Sequence, residues 1–316
     1  MMYSLIVACV LVAIAVSYQM LKLPKQNVNS LRKLLILDNG EPRIFGHRAG
    51  QHEGPENTIV AIETAAQNGA TAIEIDLEFS EDGIPVIFHD DDVDRVTDGH
   101  GPVSSYLYAD LAKLNAAAHF EYTLTKEGKA PQSFEKIPTL AEAVGVAKKH
   151  NLVIDLDVKS DGAKTCGALK SILHDFPDAA DFIFVTSFYP DIVYAVGKHC
   201  PQFHTGLIWR HSYTSRTIAG VPRYAWYITP FLDALDKLSE VLVHSVMTDF
   251  LGVPLVAMHK DHLSKRYVDA WRAKGVEVMA WTVNDPVEKD FLLKKLGIPI
   301  VTDSLLNLKD VAEQTN

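Results

Sequence analysis

A rhythm of short apolar runs alternating with helical periodicity narrows the possible folds more than any other feature. Strand candidates fall at Arg43–Gly46, Thr71–Phe79, Leu152–Val158, Phe182–Ser187, Thr205–Trp209, Val253–Met258, Val276–Val283 and Ile298–Thr302. Between most of them, apolar residues recur at three- and four-residue steps: Thr58–Asn68, Leu140–His150, Ala163–Phe176, Ser264–Lys274 and Val287–Leu296. Strands joined through helices run parallel in one sheet. Eight such units predict an α/β chain of the (β/α)8 TIM-barrel class, for which about 250 residues suffice. A doubly wound open sheet is the runner-up, but its usual glycine-rich fingerprint after the first strand is missing.

Four stretches depart from that rhythm. Residues 1–22 open with MMYSLIVACVLVAIAVSYQML and carry no charged side chain before Lys22. That matches the roughly 20 apolar residues a helix needs to cross a bilayer. A signal peptide would bring a basic start and a shorter apolar core. The stretch therefore reads as a single N-terminal transmembrane anchor, with a linker over 23–40 and the barrel over 41–316. Lys22, Lys25, Arg32 and Lys33 follow the anchor, a bias that favours the cytosolic side. The polar interval 97–138 reads as an insertion capping the barrel mouth. Within 224–250, apolar residues from Leu235 onward recur at three- and four-residue steps while Asp233, Asp236, Lys237 and Glu240 take other faces. Those charges argue against a second span. A helix in the membrane interface, over the mouth or on the barrel wall are the readings left open.

The stretch TAIEIDLEF concentrates the chemistry. At a two-residue period Ile73, Ile75 and Leu77 share one face while Glu74, Asp76 and Glu78 share the other. The strand candidate Pro85–His89 follows after only SEDG, too short for a parallel crossover, so the two form a hairpin. With Asp82-Gly83 as a two-residue loop, Glu81 pairs with Ile84, Phe79 with Val86 and Asp76 with His89.

In a barrel, side chains at the C-terminal strand ends line the active site. His47 and Arg48 follow the first strand, His89 ends the hairpin, and Asp157 and Lys159 end the strand IDLDV. Parallel strands covered on both faces normally read as continuous Val, Ile and Leu. Acids late in two of them are accounted for by a bound cation. Glu74, Asp76 and Asp157 offer oxygen alone, the preference of Mg2+ or Ca2+. Arg48 and Lys159 beside that cation suit a phosphoryl group, and two histidines supply a general acid and a general base. Together these residues read as a phosphodiester-cleaving site without a protein nucleophile.

The stretch from His47 to Gly101, beginning HRAGQHEGPENTIVAIETAAQNGATAIEIDLEFSEDGIPVIFHD, resembles the signature of the glycerophosphodiester phosphodiesterase family. KIPTLAEAV, DLDVKS, VTSF, WTVN and VTD follow in the family's order, and the resemblance spans about Arg43 to Leu305. It implies a barrel that hydrolyses glycerophosphodiesters, such as glycerophosphoinositol, to sn-glycerol 3-phosphate and an alcohol. By motif, His47 and His89 are the acid–base pair, Glu74, Asp76 and Asp157 hold the metal, and Arg48 and Lys159 contact phosphate. Asn57 orients the His47 loop, and Phe188 and Trp281 line the glycerol side. Ala49 stands where the family's first motif commonly has glycine. Asp157 replaces a frequent glutamate, and the shorter side chain favours Mg2+. The anchor and the 224–250 interval resemble the membrane-bound animal type, which implies a lumenal or extracellular barrel.

The alternative on the same barrel is a lysophospholipase D acting on lysophospholipids or lyso-N-acylethanolamine phospholipids; a catalytically silent membrane interaction protein is the reading from another class. A net charge of −10 without a basic tract excludes nucleic acid as a partner. The partners expected are a small-molecule diester and a membrane. Of three cysteines Cys9 lies in the anchor, and Cys166 and Cys200 read as buried thiols rather than a disulfide framework.

Overall fold

The computed structural model describes residues 12–13, 15–121 and 134–306. All eight predicted barrel strands are present: β1 (Ile44–Gly46), β2 (Ala72–Phe79), β4 (Val153–Val158), β5 (Ile183–Ser187), β6 (His204–Trp209), β7 (Leu255–His259), β8 (Glu277–Trp281) and β9 (Ile300–Thr302). They hydrogen-bond in parallel in that order, and β1 pairs with both β9 and β2, closing the barrel. The ninth strand, β3 (Pro85–Ile87), lies antiparallel on β2.

Helices start where a side chain can satisfy their first amides. Thr58 caps α2 (Ile59–Gln67) by accepting from the Ala61 amide. Thr139 and Glu142 form a reciprocal capping box on α3 (Leu140–Lys149). Asp161 caps α4 (Gly162–Asp175), and Ser264 caps α7 (Lys265–Ala273). A helix not read from periodicity, α5 (Pro190–His199), begins at proline. The outward strand residues Ile73, Ile75, Leu77, Ile154, Leu156 and Val185 are fully buried beneath this ring of helices.

The interval 23–40 is not a linker. Asn27 caps α1 (Val28–Leu35), whose Leu31, Leu34 and Leu35 are buried. These leucines join Phe45, Phe184, Leu255 and Met279 in one cluster, plugging the floor of the barrel. Arg32 fixes the plug through Glu277 at 2.6 Å. Spacing of three and four residues supplied the apolar stripe, but the surrounding lysines and asparagines made it read as tether.

Two local expectations are also corrected. Gly83 has φ of +77° whereas Asp82 is not left-handed, so a two-residue type I′ turn, which needs both, does not form. The loop takes three residues instead, with Ser80 N–H donating to the Ile84 carbonyl at 3.1 Å. The register therefore shifts by one, pairing Phe79 with Pro85 and Leu77 with Ile87. The interval 97–138 does not cap the mouth among the described residues. Val103, Leu111, Ala116 and Ile137 pack with Val86, Phe88 and Val93 into a small core outside the barrel, against the hairpin. Residues 122–133 lie outside the described part, as does most of the anchor 1–22. Among the described residues no helix is long and apolar enough to cross a membrane.

Leu35→Ala is expected to lower unfolding stability by about 2–5 kcal/mol, because the plug is closed above by packed side chains that cannot refill the space. Chemical denaturation followed by circular dichroism measures this; a shift equal to that of a surface substitution would mean that α1 is not part of the core.

Candidate active site

The inward residues of β2 and β4 change character along the barrel. At the floor they are Ala72 and Val153, adjacent in register. One step up stand Glu74 and Asp155, and one further Asp76 and Asp157, again as neighbours. All four carboxylates are buried. Glu74, Asp76 and Asp157 bring one oxygen each within 4.8 Å of the others.

Such crowding needs compensation. Lys159 Nζ lies 2.5 Å from Asp76 Oδ1 and 3.7 Å from Asp157 Oδ2. Asn57 donates to Asp76 Oδ2 at 2.8 Å, and the Arg48 amide donates to Glu74 Oε2 at 2.8 Å. Burial alone would raise the Asp76 carboxyl, yet Lys159, His89 and Arg48 hold it well below the usual carboxylate range. Glu74 goes the other way, pushed far up by burial and by the charges of Asp76 and Asp157. Burial also raises Asp157, whose Oδ1 is buried without a hydrogen-bond partner. An orphaned carboxylate oxygen beside a carboxyl driven towards its neutral form is a site short of positive charge. Three oxygen donors of this kind fit a hard divalent cation.

The two histidines are each held through Nδ1. His47 Nδ1 lies 2.5 Å from Asp303 Oδ1, and Asp303 also accepts from Gln51 and Asn284. His89 Nδ1 lies 2.5 Å from Asp90 Oδ1, and Arg95 Nε donates to Asp90 Oδ2 at 2.6 Å. Arg95 also clasps Glu56 with both terminal nitrogens, and Glu56 accepts from Arg48 Nη1 at 2.9 Å. With Nδ1 committed, Nε2 is the nitrogen each ring has left for a substrate. The His47 loop reaches this geometry through successive positive φ angles at Arg48, Ala49 and Gly50. Ala49 thus keeps the turn that a glycine would make freely, at a cost of about 1–2 kcal/mol.

The acidic cluster, Lys159, Arg48 and both histidines line one cavity of about 620 Å3 at the C-terminal ends of the strands. Its far wall is aromatic: Phe188 stacks on Tyr213 at 4.3 Å and meets Trp281 edge-on at 5.4 Å. Arg210 and Arg223 add cations there, each over the Tyr213 ring. The segment carrying Tyr213 is fastened by Asp236, which accepts from the Thr214 and Ser215 amides.

Nine of the sequence-assigned residues therefore meet in one cavity: His47, Arg48, Glu74, Asp76, His89, Asp157, Lys159, Phe188 and Trp281. Asn57 stands behind Asp76 and ties it to the Arg48 carbonyl. Glu78 does not line the cavity. Asp90 stood out in VIFHD beside His89, whereas Asp303, Glu56, Arg95 and the Arg210–Arg223 wall were not picked out from sequence. VTD was visible as a motif, but nothing local says that its aspartate meets a histidine 256 residues away.

A barrel with buried carboxylates, flanking cations and two carboxylate-held histidines at its C-terminal face defines a hydrolase-type site of the phosphodiester-cleaving class. The glycerophosphoryl diester phosphodiesterase family profile matches residues 47–306, and the chain belongs to that family. It is 41% identical over 264 residues to glycerophosphodiester phosphodiesterase 1 of Bos taurus, covering 83% of this chain and 78% of the relative. The Homo sapiens protein of the same name is 38% identical over 284 residues, covering 88% and 83%. In fold, the chain is similar to an Oleispira antarctica phosphodiesterase solved with the product sn-glycerol-3-phosphate, at 23% identity and a TM-score of 0.64, with 91% and 100% covered. A Silicibacter pomeroyi structure aligns at 20% identity and a TM-score of 0.70, with 90% and 98% covered.

Glu74→Gln and Asp157→Asn should each weaken divalent-cation binding at least tenfold, since even outer partners of metal ligands carry 10–100-fold effects. Calorimetric titration with Mg2+ and with Ca2+ reads this directly. A second expectation concerns pH. Burial would raise Asp236, but hydrogen bonds from Ser215 and the Thr214 amide outweigh it and hold the carboxyl low. Its folded value lies below its unfolded one, so its contribution is complete above about pH 4 and is lost as pH falls further. Proteolysis within 210–228 should therefore accelerate in acid for the wild type, and at neutral pH for Asp236→Ala.

Proposed function

We propose that this chain hydrolyses glycerophosphodiesters such as glycerophosphoinositol to sn-glycerol 3-phosphate and an alcohol, with Mg2+ as the resident cation and Ca2+ as the alternative. The observation that carries this reading is the convergence, in one cavity, of two carboxylate-held histidines on a buried three-carboxylate cluster. Glu74, Asp76 and Asp157 would hold the cation, which when bound supplies Lewis-acid stabilisation of phosphoryl oxygens. Arg48 and Lys159 supply charge-assisted hydrogen bonds to the same oxygens. Phe188 and Trp281 shape the glycerol side.

His47 acts first as the base. Both of its competitors for Asp303, Gln51 and Asn284, are neutral donors, so the full carboxylate charge serves the imidazolium that forms. Asp90 shares its charge with the Arg95 guanidinium, and His89 takes the part of proton donor. His47 Nε2 removes the proton of the glycerol 2-hydroxyl, whose oxygen attacks phosphorus, and His89 protonates the departing alcohol oxygen. Water then opens the cyclic phosphate with the two roles reversed. The oxygen-only donors and the short Asp157 support Mg2+. The apolar 1–22 segment supports attachment to a membrane by a single N-terminal anchor, and resemblance to the membrane-bound animal type supports a lumenal or extracellular barrel.

A lysophospholipase D reading of the same site is favoured by the exposed apolar residues around the mouth, Ile218 and Tyr189 among them. The alternative of a silent scaffold leaves the orphaned Asp157 oxygen and both His–Asp pairs without purpose. One kinetic series tests the mechanism. Asp303→Asn should lower kcat about 10²–10⁴-fold with little change in KM, because it removes charge from behind the base. A substrate with propane-1,3-diol in place of glycerol should turn over at least as slowly; rapid hydrolysis of that analogue would eliminate the cyclic route.

A further inference from the structure

Helix α6 (Thr229–Leu242) wears its amphipathic pattern inside out. Its Asp236 is buried and accepts two amides of the cavity wall, while Asp233 meets Arg216 at 3.0 Å. Phe231, Leu235, Leu238 and Val241, spaced by four, three and three residues, are all exposed. Spacing of that kind puts them in one stripe along the helix. The stripe extends at its N-terminal end through Trp226 and Tyr227, 85% and 68% exposed. Ile218, 69% exposed, joins the same region to the cavity, which it lines. Exposed apolar surface this concentrated marks an interaction site.

The partner is indicated by where the N-terminal apolar segment meets the body. Residues 12–13 and 15–21 are helical, with Val12, Val16 and Met20 exposed. Tyr18 Oη donates to Asp249 Oδ2 at 3.0 Å, Lys22 Nζ lies 2.5 Å from that oxygen, and the Tyr18 and Phe250 rings are 5.4 Å apart. Asp249 and Phe250 end the same unbroken helical run that starts at Thr229. At 1.5 Å per residue that run is about 34 Å long. One end thus carries the apolar N-terminal segment and the other borders the cavity mouth. Tryptophan and tyrosine at the mouth end are the side chains that settle at a bilayer's polar boundary.

We propose that the outward face of the Thr229–Leu251 run, with Trp226 and Tyr227, is a bilayer-docking surface that lies in the membrane interface and opens the cavity to lipid. The N-terminal segment enters the same bilayer from the far end of the run. Asp233, Asp236, Lys237 and Glu240 keep the helix in the interface rather than across it. Diesters carrying one acyl chain then reach the cavity along the Ile218 side without leaving the lipid surface. This choice of substrate class rests on the hydrolysis proposed above; the docking does not.

The test uses the full chain reconstituted in phosphatidylcholine vesicles with or without brominated acyl chains. The fluorescence of Trp226, isolated as the difference between wild type and Trp226→Phe, should lose at least half its intensity in brominated lipid. An unquenched Trp226 overturns the docking. So does a doubled mass in detergent with Trp226 shielded from bromine, which would make a second copy the occupant. In the same vesicles, Phe231→Ser combined with Leu235→Ser should slow hydrolysis of vesicle-borne lysophosphatidylcholine at least tenfold. Its rate on soluble glycerophosphoinositol should stay within twofold of wild type. Equal rates of wild type and variant on the lipid overturn the substrate route, and a single Phe231→Ser decides it should the double variant lose both activities. Quenching of Trp226 without hydrolysis of either diester overturns the reaction and leaves the docking standing.

Discussion

Carboxylates buried side by side inside an apolar barrel persist only where positive charge answers them. Four acids from two adjacent strands meet in the upper half of this barrel, and parallel register puts Glu74 next to Asp155 and Asp76 next to Asp157. Burying such groups unpaired would cost several kcal/mol per ion. Lys159, Arg48 and the amides of Asn57 and Arg48 answer part of that demand, and nearly every unusual feature nearby serves to hold them there. The left-handed turn after β1 aims the Arg48 amide at Glu74, and the side chain of Asn57, itself left-handed, donates to the Asp76 carboxylate and accepts from the Asp76 N–H. The demand left unanswered, at Asp157 Oδ1 and Glu74, is what makes the centre receptive to a cation.

Around that centre, charges are arranged in alternation. Asp90, Arg95, Glu56 and Arg48 form a continuous run of paired charges from His89 to the edge of the acidic cluster. A run of this kind fixes side chains that singly would swing, and it delivers opposite environments to the two histidines. Asp303 faces His47 with neutral companions, whereas Asp90 faces His89 with a guanidinium at its back. That asymmetry is the basis on which the proposed mechanism gives the two rings different roles.

Much of this was legible because local rules act over short distances. Strand alternation, the three- and four-residue spacing of the helices, and the in-phase acids of TAIEIDLEF and IDLDV are all set by neighbours a few residues apart. Where reading failed, the deciding contact lay far away. The 23–40 stretch looked like a tether because its floor partners, Phe45, Phe184 and Met279, are distant in sequence. The hairpin slipped by one because Asp82 is engaged by Ser80 and the Tyr108 amide, which outweighs the local preference for a two-residue turn. The described parts of the interval 97–138 went to the hairpin's outer face, where Val103, Leu111, Ala116 and Ile137 cover Val86 and Phe88.

By itself the sequence determined the barrel strands, the helices between most of them, the barrel class, and which residue types stand at the strand ends, since periodicity is a property of neighbouring residues. Only the tertiary structure decided what those residues touch. It joined Asp303 to His47, closed the barrel floor with α1, and turned the apolar side of α6 outward by burying Asp236. Each of these depends on groups separated by tens to hundreds of residues, and no local pattern records which of them a closed barrel will bring within hydrogen-bonding distance.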